Sequence, residues 1–341
     1  MTTTTKRSPF LPFLLLFALF VLILYRFSER WLHLVLLYLS KANWARQIVS
    51  KLSVAQVVAM RFVAGTTIAE AMTAAKDLNA KGMKVTLDFL GESVNNPAEA
   101  RDARDEILAV IDAIAANGIN GNVSVKLTQL GLRVDESLAL DNVRRLLERA
   151  QIYNNKVRID MEESAVTDVT LGVYRRLRDE LGFGHRVGIV IQSYLYRSEE
   201  DVAELVENGA WVRLCKGAYA EPADVAFAAK ADTDRNYVKL TERMLSETAR
   251  QKGVYLGVAT HDEKMIQATL DYVKANGISP QEFEFQMLYG IRRELQEKLV
   301  ADGYQVRVYV PYGTAWYPYF MRRLAERPAN LWFFISNFLR S

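Results

Sequence analysis

The chain has 341 residues, of which 50% are hydrophobic and 24% charged, the composition of an ordinary folded domain. A net charge of +3 and the lack of a basic stripe with interleaved aromatic residues exclude nucleic acid as the expected partner. The single cysteine, Cys215, excludes an internal disulfide and a Cys-rich metal site, and the three histidines show no metal-ligand spacing, so no metal is predicted.

The N-terminal segment, residues 1–40, is rich in apolar residues. Pro9–Tyr25 carries no charge, follows Lys6-Arg7 and precedes Arg26. Its length is close to the roughly 17 residues that can just cross a bilayer, and Trp31–Leu39 is apolar as well. No small-residue cleavage site follows, which argues against a signal peptide. We expect a membrane anchor here, with two alternatives left open: an interfacial helix, or a helix packed on the barrel or on a partner subunit.

Residues 41–82 are predicted to form a helical arm, because the composition becomes Ala-rich from about Lys51. Beyond it, short β-branched runs recur, and most of them end in a polar or charged residue. They are Lys84–Glu92, Asn122–Gln129, Val157–Ser164, Val187–Tyr194, Trp211–Tyr219, Val254–Asp262, Phe283–Gly290 and Gln305–Gly313.

The stretches between these runs have apolar residues at helical spacing. The predicted helices cover Ala98–Ala116, Leu138–Ala150, Thr167–Leu181, Ser198–Asn208, Tyr237–Gln251, Glu263–Asn276, Arg292–Asp302 and Trp316–Glu326. The repeated order of strand, helix, glycine and strand predicts an α/β fold, a TIM-type (β/α)8 barrel over residues 83–341 with an N-terminal helical extension.

Charged residues at the strand ends form one candidate site, since reactive groups gather at the C-terminal ends of barrel strands. Lys126, Arg213 and Lys216 project from strands that otherwise look buried, and a buried cation is costly unless it is paired. Acidic residues on neighbouring strands could balance them, namely Asp88, Glu92 and Asp160. For any one of these residues a structural ion pair explains the sequence equally well. Together they indicate a site for an anionic ligand.

Two kinds of anion-binding group follow from the residue types. Arg322-Arg323 with Lys126 would suit a small carboxylate, because guanidinium groups bind carboxylates bidentately. Lys216-Gly217-Ala218 would suit a phosphate-bearing cofactor, because glycine lets the backbone approach closely. No GxGxxG or GxSxG motif supports a Rossmann site or a hydrolase nucleophile.

Five segments in order resemble the proline dehydrogenase family, and the resemblance extends from about Lys84 to Asn330. They are Arg213–Tyr219 (RLCKGAY), Ala259–Asp262 (ATHD), Phe283–Gly290 (FEFQMLYG), Tyr309–Gly313 (YVPYG) and Tyr317–Asn330 (YPYFMRRLAERPAN). The resemblance implies a flavoprotein that binds FAD in a (β/α)8 barrel and oxidises L-proline to Δ1-pyrroline-5-carboxylate.

The resemblance also implies roles for individual residues. Arg213 would lie beside the flavin N5 and tune its affinity for hydride, with Asp160 and Glu92 as acidic partners of the cationic groups. Lys126, Arg322 and Arg323 would hold the substrate carboxylate. Tyr309 and Tyr319 would line the proline ring. The residues that would contact FAD are Met161, Gln192, Lys216, Gly217, Ala218, Thr260 and His261.

The partners implied by the resemblance are L-proline and a quinone acceptor in the membrane. The chain ends at Ser341 without a fused aldehyde dehydrogenase domain, so a separate pyrroline-5-carboxylate dehydrogenase would use the product. We expect a membrane-associated enzyme with its barrel in the cytoplasm.

Three other functions stay open on the residues alone. A Schiff-base lyase or aldolase could use Lys126 or Lys216 as its nucleophile. Another flavin barrel, one that reduces a folate-type substrate, would share the architecture without needing the paired arginines. A membrane-tethered scaffold would need none of the strand-end charges.

Overall fold

The computed structural model describes residues 36, 38–40, 42–49, 59–91 and 94–326. The described residues belong to two compact units, Arg61–Thr314 and a second that combines parts of Met1–Met60 and Ala315–Ser341. The predicted membrane segment Pro9–Tyr25 and the predicted site residue Glu92 lie outside the described residues. The division of the chain at residues 40 and 82 stays a prediction.

The larger unit contains a closed parallel barrel whose strands follow one another in chain order, with the last pairing with the first. This confirms the predicted (β/α)8 fold. The strands are β1 (Lys84–Phe89), β2 (Gly121–Val125), β3 (Val157–Ile159), β4 (Val187–Gln192), β5 (Trp211–Cys215), β6 (Tyr255–Ala259), β7 (Phe283–Leu288) and β8 (Val306–Tyr312).

The helices of this unit alternate with the strands. They are Ile68–Ala80, Pro97–Ala116, Glu136–Ile152, Thr167–Arg175, Ser198–Glu207, Lys230–Leu245, Glu247–Gln251, Glu263–Ala275 and Arg293–Ala301, with a π-helical turn at Arg176–Glu180. Local chemistry sets their ends. Asn96 caps the helix after β1 by accepting the Glu99 N–H at 2.9 Å, and Pro97 occupies the first helical position, where no N–H is needed.

The predicted bounds of the helix Tyr237–Gln251 were wrong. The structure has a helix from Lys230 to Leu245 and a second short one that begins after Ser246, whose backbone is extended (φ −58°, ψ 154°) and whose Oγ accepts the Ala249 N–H. The early turns escaped prediction because their buried face is polar, formed by Thr233 and Asn236.

Apolar and polar side chains alternate along the strands, which separates an apolar layer from a polar barrel interior. In β2, Val123 and Val125 belong to the hydrophobic core, while the intervening Ser124 and the preceding Asn122 bond to side chains of other strands. The Arg307 guanidinium of β8, for example, donates to Asn122 Oδ1 at 2.8 Å. We conclude that the apolar core lies between strands and helices, and that hydrogen bonds across the barrel position its inner side chains.

The second unit includes the helices Asn43–Val49 and Trp316–Glu326, which contact each other. The Tyr317 hydroxyl donates to the Leu39 carbonyl at 2.9 Å, and the Trp316 and Phe320 rings meet edge to face. Across the described parts of the chain, no helix combines the length and hydrophobicity that a bilayer span requires.

Candidate active site

Asp160, which directly follows β3, is the centre of a polar cluster at the C-terminal ends of the strands. Its Oδ1 accepts hydrogen bonds from Ser124 Oγ and Arg213 Nη1, both at 2.6 Å. Its Oδ2 accepts the Tyr309 hydroxyl at 2.8 Å, and the Lys126 ammonium lies 3.8 Å from the same oxygen. The structure therefore brings three predicted site residues, Lys126, Arg213 and Tyr309, around the carboxylate of a fourth, Asp160.

The protonation states of this cluster follow from its charges. Burial raises the pKa of Asp160, but the positive charges of Arg213 and Lys126 and the hydrogen bonds outweigh burial and hold this pKa below its ordinary value. Burial, reinforced by the charges of Asp160 and Asp88, raises the pKa of Tyr309 well above its ordinary value. At neutral pH Asp160 is therefore a carboxylate, and Tyr309 is a phenol that donates to it.

Arg213 is held on two sides and keeps one unused donor. Its Nη1 donates to Asp160, its Nε donates to Gln286 Oε1 at 2.5 Å, and the guanidinium carbon lies 5.1 Å from the centroid of the Tyr309 ring. Its buried Nη2 has no hydrogen-bond partner among the described residues. A buried guanidinium with an unused N–H can donate to an acceptor atom of a ligand.

Lys126, just beyond β2, is a largely buried cation at the same end of the barrel. Its ammonium donates to both oxygens of Asp88 at 3.2 and 3.4 Å and lies 3.4 Å from the Tyr309 hydroxyl oxygen. The Asp88 carboxylate is fully buried. These contacts fix the position of the ammonium, so an anion at this end of the barrel would meet an oriented charge.

The KGA segment after β5 combines a paired lysine with a glycine that no other residue could replace. Lys216 donates to Asp234 at 2.5 Å and to Asp262 at 2.6 Å. Gly217 has φ +114°, and a Cβ built there would lie 2.3 Å from the ring of Tyr194. The Tyr194 ring therefore fills the space that a side chain at position 217 would take, and the next residue, Ala218, is exposed.

Two buried polar residues lie at the ends of β4 and β6. The Gln192 side chain donates weakly to the Met161 carbonyl, 3.4 Å away, and its Oε1 has no hydrogen-bond partner in the described part of the chain. Thr260 is buried, and its hydroxyl accepts the Asp262 N–H at 3.1 Å. Like Arg213 Nη2, Gln192 Oε1 is a buried polar atom available to a ligand.

His261 is bonded as a neutral imidazole. Its Nε2 accepts the Leu288 backbone N–H at 2.9 Å, so this nitrogen is unprotonated in that arrangement. The Arg292 guanidinium donates to the His261 carbonyl at 2.8 Å. The residue is therefore attached through its ring to β7 and through its backbone to the start of the following helix.

Three further predicted residues belong to the second unit. Tyr319, Arg322 and Arg323 are on the helix Trp316–Glu326 of the second unit, where the Arg323 guanidinium carbon lies 5.1 Å from the Tyr319 ring centroid. Both arginines are half-buried. Whether these residues complete a site with the barrel cluster stays a prediction, as does the role of Glu92.

Some residues that bond to these side chains were not predicted, because they lie one pleat below the strand ends. Ser124 precedes Lys126 by two residues, and Arg307 precedes Tyr309 by two, so both share the inward face of their strands. The two-residue period could have identified them. Asp234, which pairs with Lys216, lies on a helix, and no spacing in the sequence points to it.

Comparison with known proteins gives a consistent result. The family model described as Proline dehydrogenase matches residues 71–335. The chain is 46% identical over 286 residues to a protein of Deinococcus radiodurans named Proline dehydrogenase, covering 83% of this chain and 90% of that relative. It is 40% identical over 297 residues to Proline dehydrogenase 2 of Bacillus subtilis, covering 87% and 95% of the two chains.

A solved structure gives the same result for the fold. The structure is proline utilization A from Bdellovibrio bacteriovorus inactivated by N-propargylglycine, which superimposes with a TM-score of 0.74 at 28% identity. The match covers 80% of this chain and 33% of the other, so this chain spans about a third of that larger protein.

Proposed function

Because the chain belongs to the proline dehydrogenase family, we propose that it oxidises L-proline to Δ1-pyrroline-5-carboxylate, the first step of proline catabolism, with FAD as the group that is reduced. The observation that carries the proposal is the cluster around Asp160. A buried guanidinium with an unused N–H, an oriented ammonium and a phenol from separate strands lie at one end of the barrel. This arrangement suits an anionic substrate beside a polar cofactor ring.

The residues present fit FAD in three respects. Arg213 Nη2 and Gln192 Oε1 are buried polar atoms without partners among the described residues, of opposite hydrogen-bonding type, as the polar edge of an isoalloxazine requires. Gly217 lets the backbone after β5 pack directly against the Tyr194 ring, which shapes the segment where FAD would bind. Lys216 supplies a positive charge at the adjacent position for a phosphate-bearing chain. When bound, FAD would supply the hydride acceptor; the protein supplies orientation and charge.

Cationic side chains would bind the substrate carboxylate. Lys126, Arg322 and Arg323 would bind the proline carboxylate, since guanidinium forks match carboxylate geometry. Tyr309 and Tyr319 would line the ring. Binding the carboxylate would fix the position of the proline carbon next to nitrogen, from which the hydride leaves. Fixing the reacting atoms in this way contributes a large part of the rate enhancement of many enzymes.

The test is an anaerobic visible spectrum of the purified protein titrated with L-proline. We expect a flavin band that bleaches on addition of L-proline and does not bleach with D-proline at the same concentration. A flavin band that L-proline leaves unchanged would refute the substrate, and the absence of flavin even after FAD is added would refute the oxidoreductase proposal.

A substitution tests the proposed role of Gly217 in FAD binding. Gly217→Ala is expected to abolish flavin retention and to destabilise the apoprotein, because φ +114° alone costs about 1–3 kcal/mol with a side chain and the new methyl would overlap Tyr194. Flavin content after purification and thermal unfolding of the apoprotein measure the two effects. Gly253→Ala is the matched control: φ is +91°, but nothing lies within 4 Å of the added Cβ.

The Gly253→Ala control separates the effect of backbone strain from the effect of overlap with Tyr194. Gly253→Ala should lose stability from strain while retaining flavin. Equal flavin content in Gly217→Ala and Gly253→Ala would contradict a role of Gly217 in FAD binding.

The electron acceptor belongs to the same proposal. A quinone in the membrane would reoxidise the flavin, Pro9–Tyr25 would hold the barrel near it, and a separate pyrroline-5-carboxylate dehydrogenase would use the product. The support is the uncharged sequence of Pro9–Tyr25. Membrane fractionation of a chain lacking residues 1–25 tests the anchor, which fails if the shortened chain stays with the membrane.

A Schiff-base mechanism is disfavoured by the lysine contacts. Lys216 lies between two carboxylates at 2.5 and 2.6 Å, and Lys126 is paired with Asp88. Carboxylate partners stabilise the protonated ammonium, whereas a nucleophilic amine must be deprotonated. Both contacts therefore favour binding roles over covalent ones.

A further inference from the structure

We propose that Gln286 is a positioning residue that fixes the guanidinium of Arg213, and that Glu284 sets the orientation of the Gln286 amide. This inference rests on the proposed function for its catalytic consequence, because Arg213 is the cation expected beside the flavin. Its structural part can be tested in the protein without flavin.

The contacts form a continuous chain through the barrel interior. Arg213 Nε donates to Gln286 Oε1 at 2.5 Å, and Gln286 Nε2 donates to Glu284 Oε1 at 2.6 Å. The same Glu284 oxygen accepts Arg307 Nε at 2.6 Å. Gln286 is 4% exposed and Glu284 is fully buried, so water does not compete for these bonds.

The chemistry of the two ends allows only one orientation of the Gln286 amide. A guanidinium can only donate hydrogen bonds, so the amide oxygen must face Arg213. A carboxylate can only accept, so the amide nitrogen must face Glu284. Burial raises the pKa of Glu284, but the charges of Arg307, Arg158 and Lys84 outweigh it and leave this pKa below its ordinary value, so the group is ionised.

The neighbouring strand leaves room for this amide. Gly257 of β6 pairs with Glu284 in the sheet, and a Cβ at Gly257 would lie 2.3 Å from Gln286 Nε2 and 2.7 Å from its Cδ. No residue with a side chain could occupy position 257 without moving the amide. Independently of the hydrogen bonds, the backbone of β6 is therefore shaped around Gln286.

Two separate anchors determine the plane of the Arg213 guanidinium. Asp160 and Ser124 hold Nη1, while Gln286 holds Nε on the other side. Without the second anchor the guanidinium could rotate about its bond to the side chain while it remained paired with Asp160. The remaining nitrogen, Nη2, would then lose its fixed direction.

The first experiment observes the Arg213 Nε–H by NMR in apoprotein labelled with 15N-arginine, with the signal assigned by its loss in Arg213→Lys. In the wild type this proton should exchange slowly with solvent. Gln286→Leu should accelerate exchange by at least about tenfold, the factor that a hydrogen bond to a charged group is worth. Wild-type exchange in Gln286→Leu would overturn the proposal.

Conservative and matched variants separate positioning from general destabilisation. Glu284→Gln keeps the accepting oxygen and should retain slow exchange, whereas Glu284→Leu should not. Gln296→Leu removes another buried amide, which donates to the Leu288 and Ile291 carbonyls, and should leave the Arg213 signal unchanged. If Gln286→Leu does not fold, Gly257→Ala displaces the amide without removing a polar group and should give the same acceleration.

The second experiment compares steady-state kinetics of the flavin-loaded enzymes. We expect Gln286→Leu to lower kcat by about 10²-fold, the effect of a displacement of about 1 Å, with little change in KM for proline. Fast exchange in the variant with no proline oxidation in the wild type would refute the proposed function and leave the positioning role intact. Proline oxidation in the wild type with an unchanged kcat in Gln286→Leu would refute the catalytic part of this inference.

Discussion

Replacing Arg213 by methionine is expected to lower the rate of flavin reduction by proline about 10²–10³-fold, the loss that follows removal of one oriented donor from an active site. The guanidinium is buried, is held by Asp160 and Gln286, and keeps its Nη2 unused among the described residues. Methionine fills similar volume without charge. Anaerobic stopped-flow mixing with L-proline measures the reduction step directly.

The matched control is a second buried arginine of the same barrel. Arg158 of β3 is fully buried, stacks on the Trp211 ring at 3.7 Å and donates to the Ile189 carbonyl. Arg158→Met should change stability but leave the reduction rate within a few-fold. A loss of rate in Arg158→Met as large as in Arg213→Met would mean that removing any barrel arginine disturbs the site, and would contradict a specific role for Arg213.

The fold was predictable because the barrel depends on features that repeat along the chain. Each β-branched run supplies apolar residues such as Val123 and Val125 to the layer beneath the helices, and the order of elements determines a parallel barrel. The prediction failed where a helix buries polar side chains. The helix that begins at Lys230 buries Thr233 and Asn236, and a hydrophobic pattern cannot detect such a face.

The candidate site was predictable to the extent that its residues lie at strand ends. Lys126, Asp160 and Arg213 were recognisable as charges on otherwise apolar strands, and they meet in the structure. Which residues pair across the barrel was not predictable, because strand register decides it. Glu284 pairs with Arg307 of the adjacent strand rather than with any cation at the strand ends, and the sequence contains no measure of that register.

Asp160→Asn is expected to destabilise the apoprotein by about 3–5 kcal/mol at pH 7, the cost of removing one partner from a buried ion pair. Asparagine has the same shape, but it leaves the charges of Arg213 and Lys126 without their shared carboxylate. Its amide can also offer only one oxygen where the carboxylate uses two to accept from Ser124, Arg213 and Tyr309. Urea denaturation of both proteins measures the difference.

The pH dependence identifies the charge as the cause. The pKa of Asp160 is lowered in the folded protein, so its contribution to stability is fully present above the unfolded pKa of about 3.9 and is lost as pH falls through the lower, folded value. The difference between wild type and Asp160→Asn should therefore shrink below about pH 4. Asp141→Asn removes a partly exposed carboxylate that also pairs with two arginines, and should cost at most about 1 kcal/mol. A difference that stays constant from pH 7 into the acid range would show that the shape of the Asp160 side chain, not its charge, holds the cluster together.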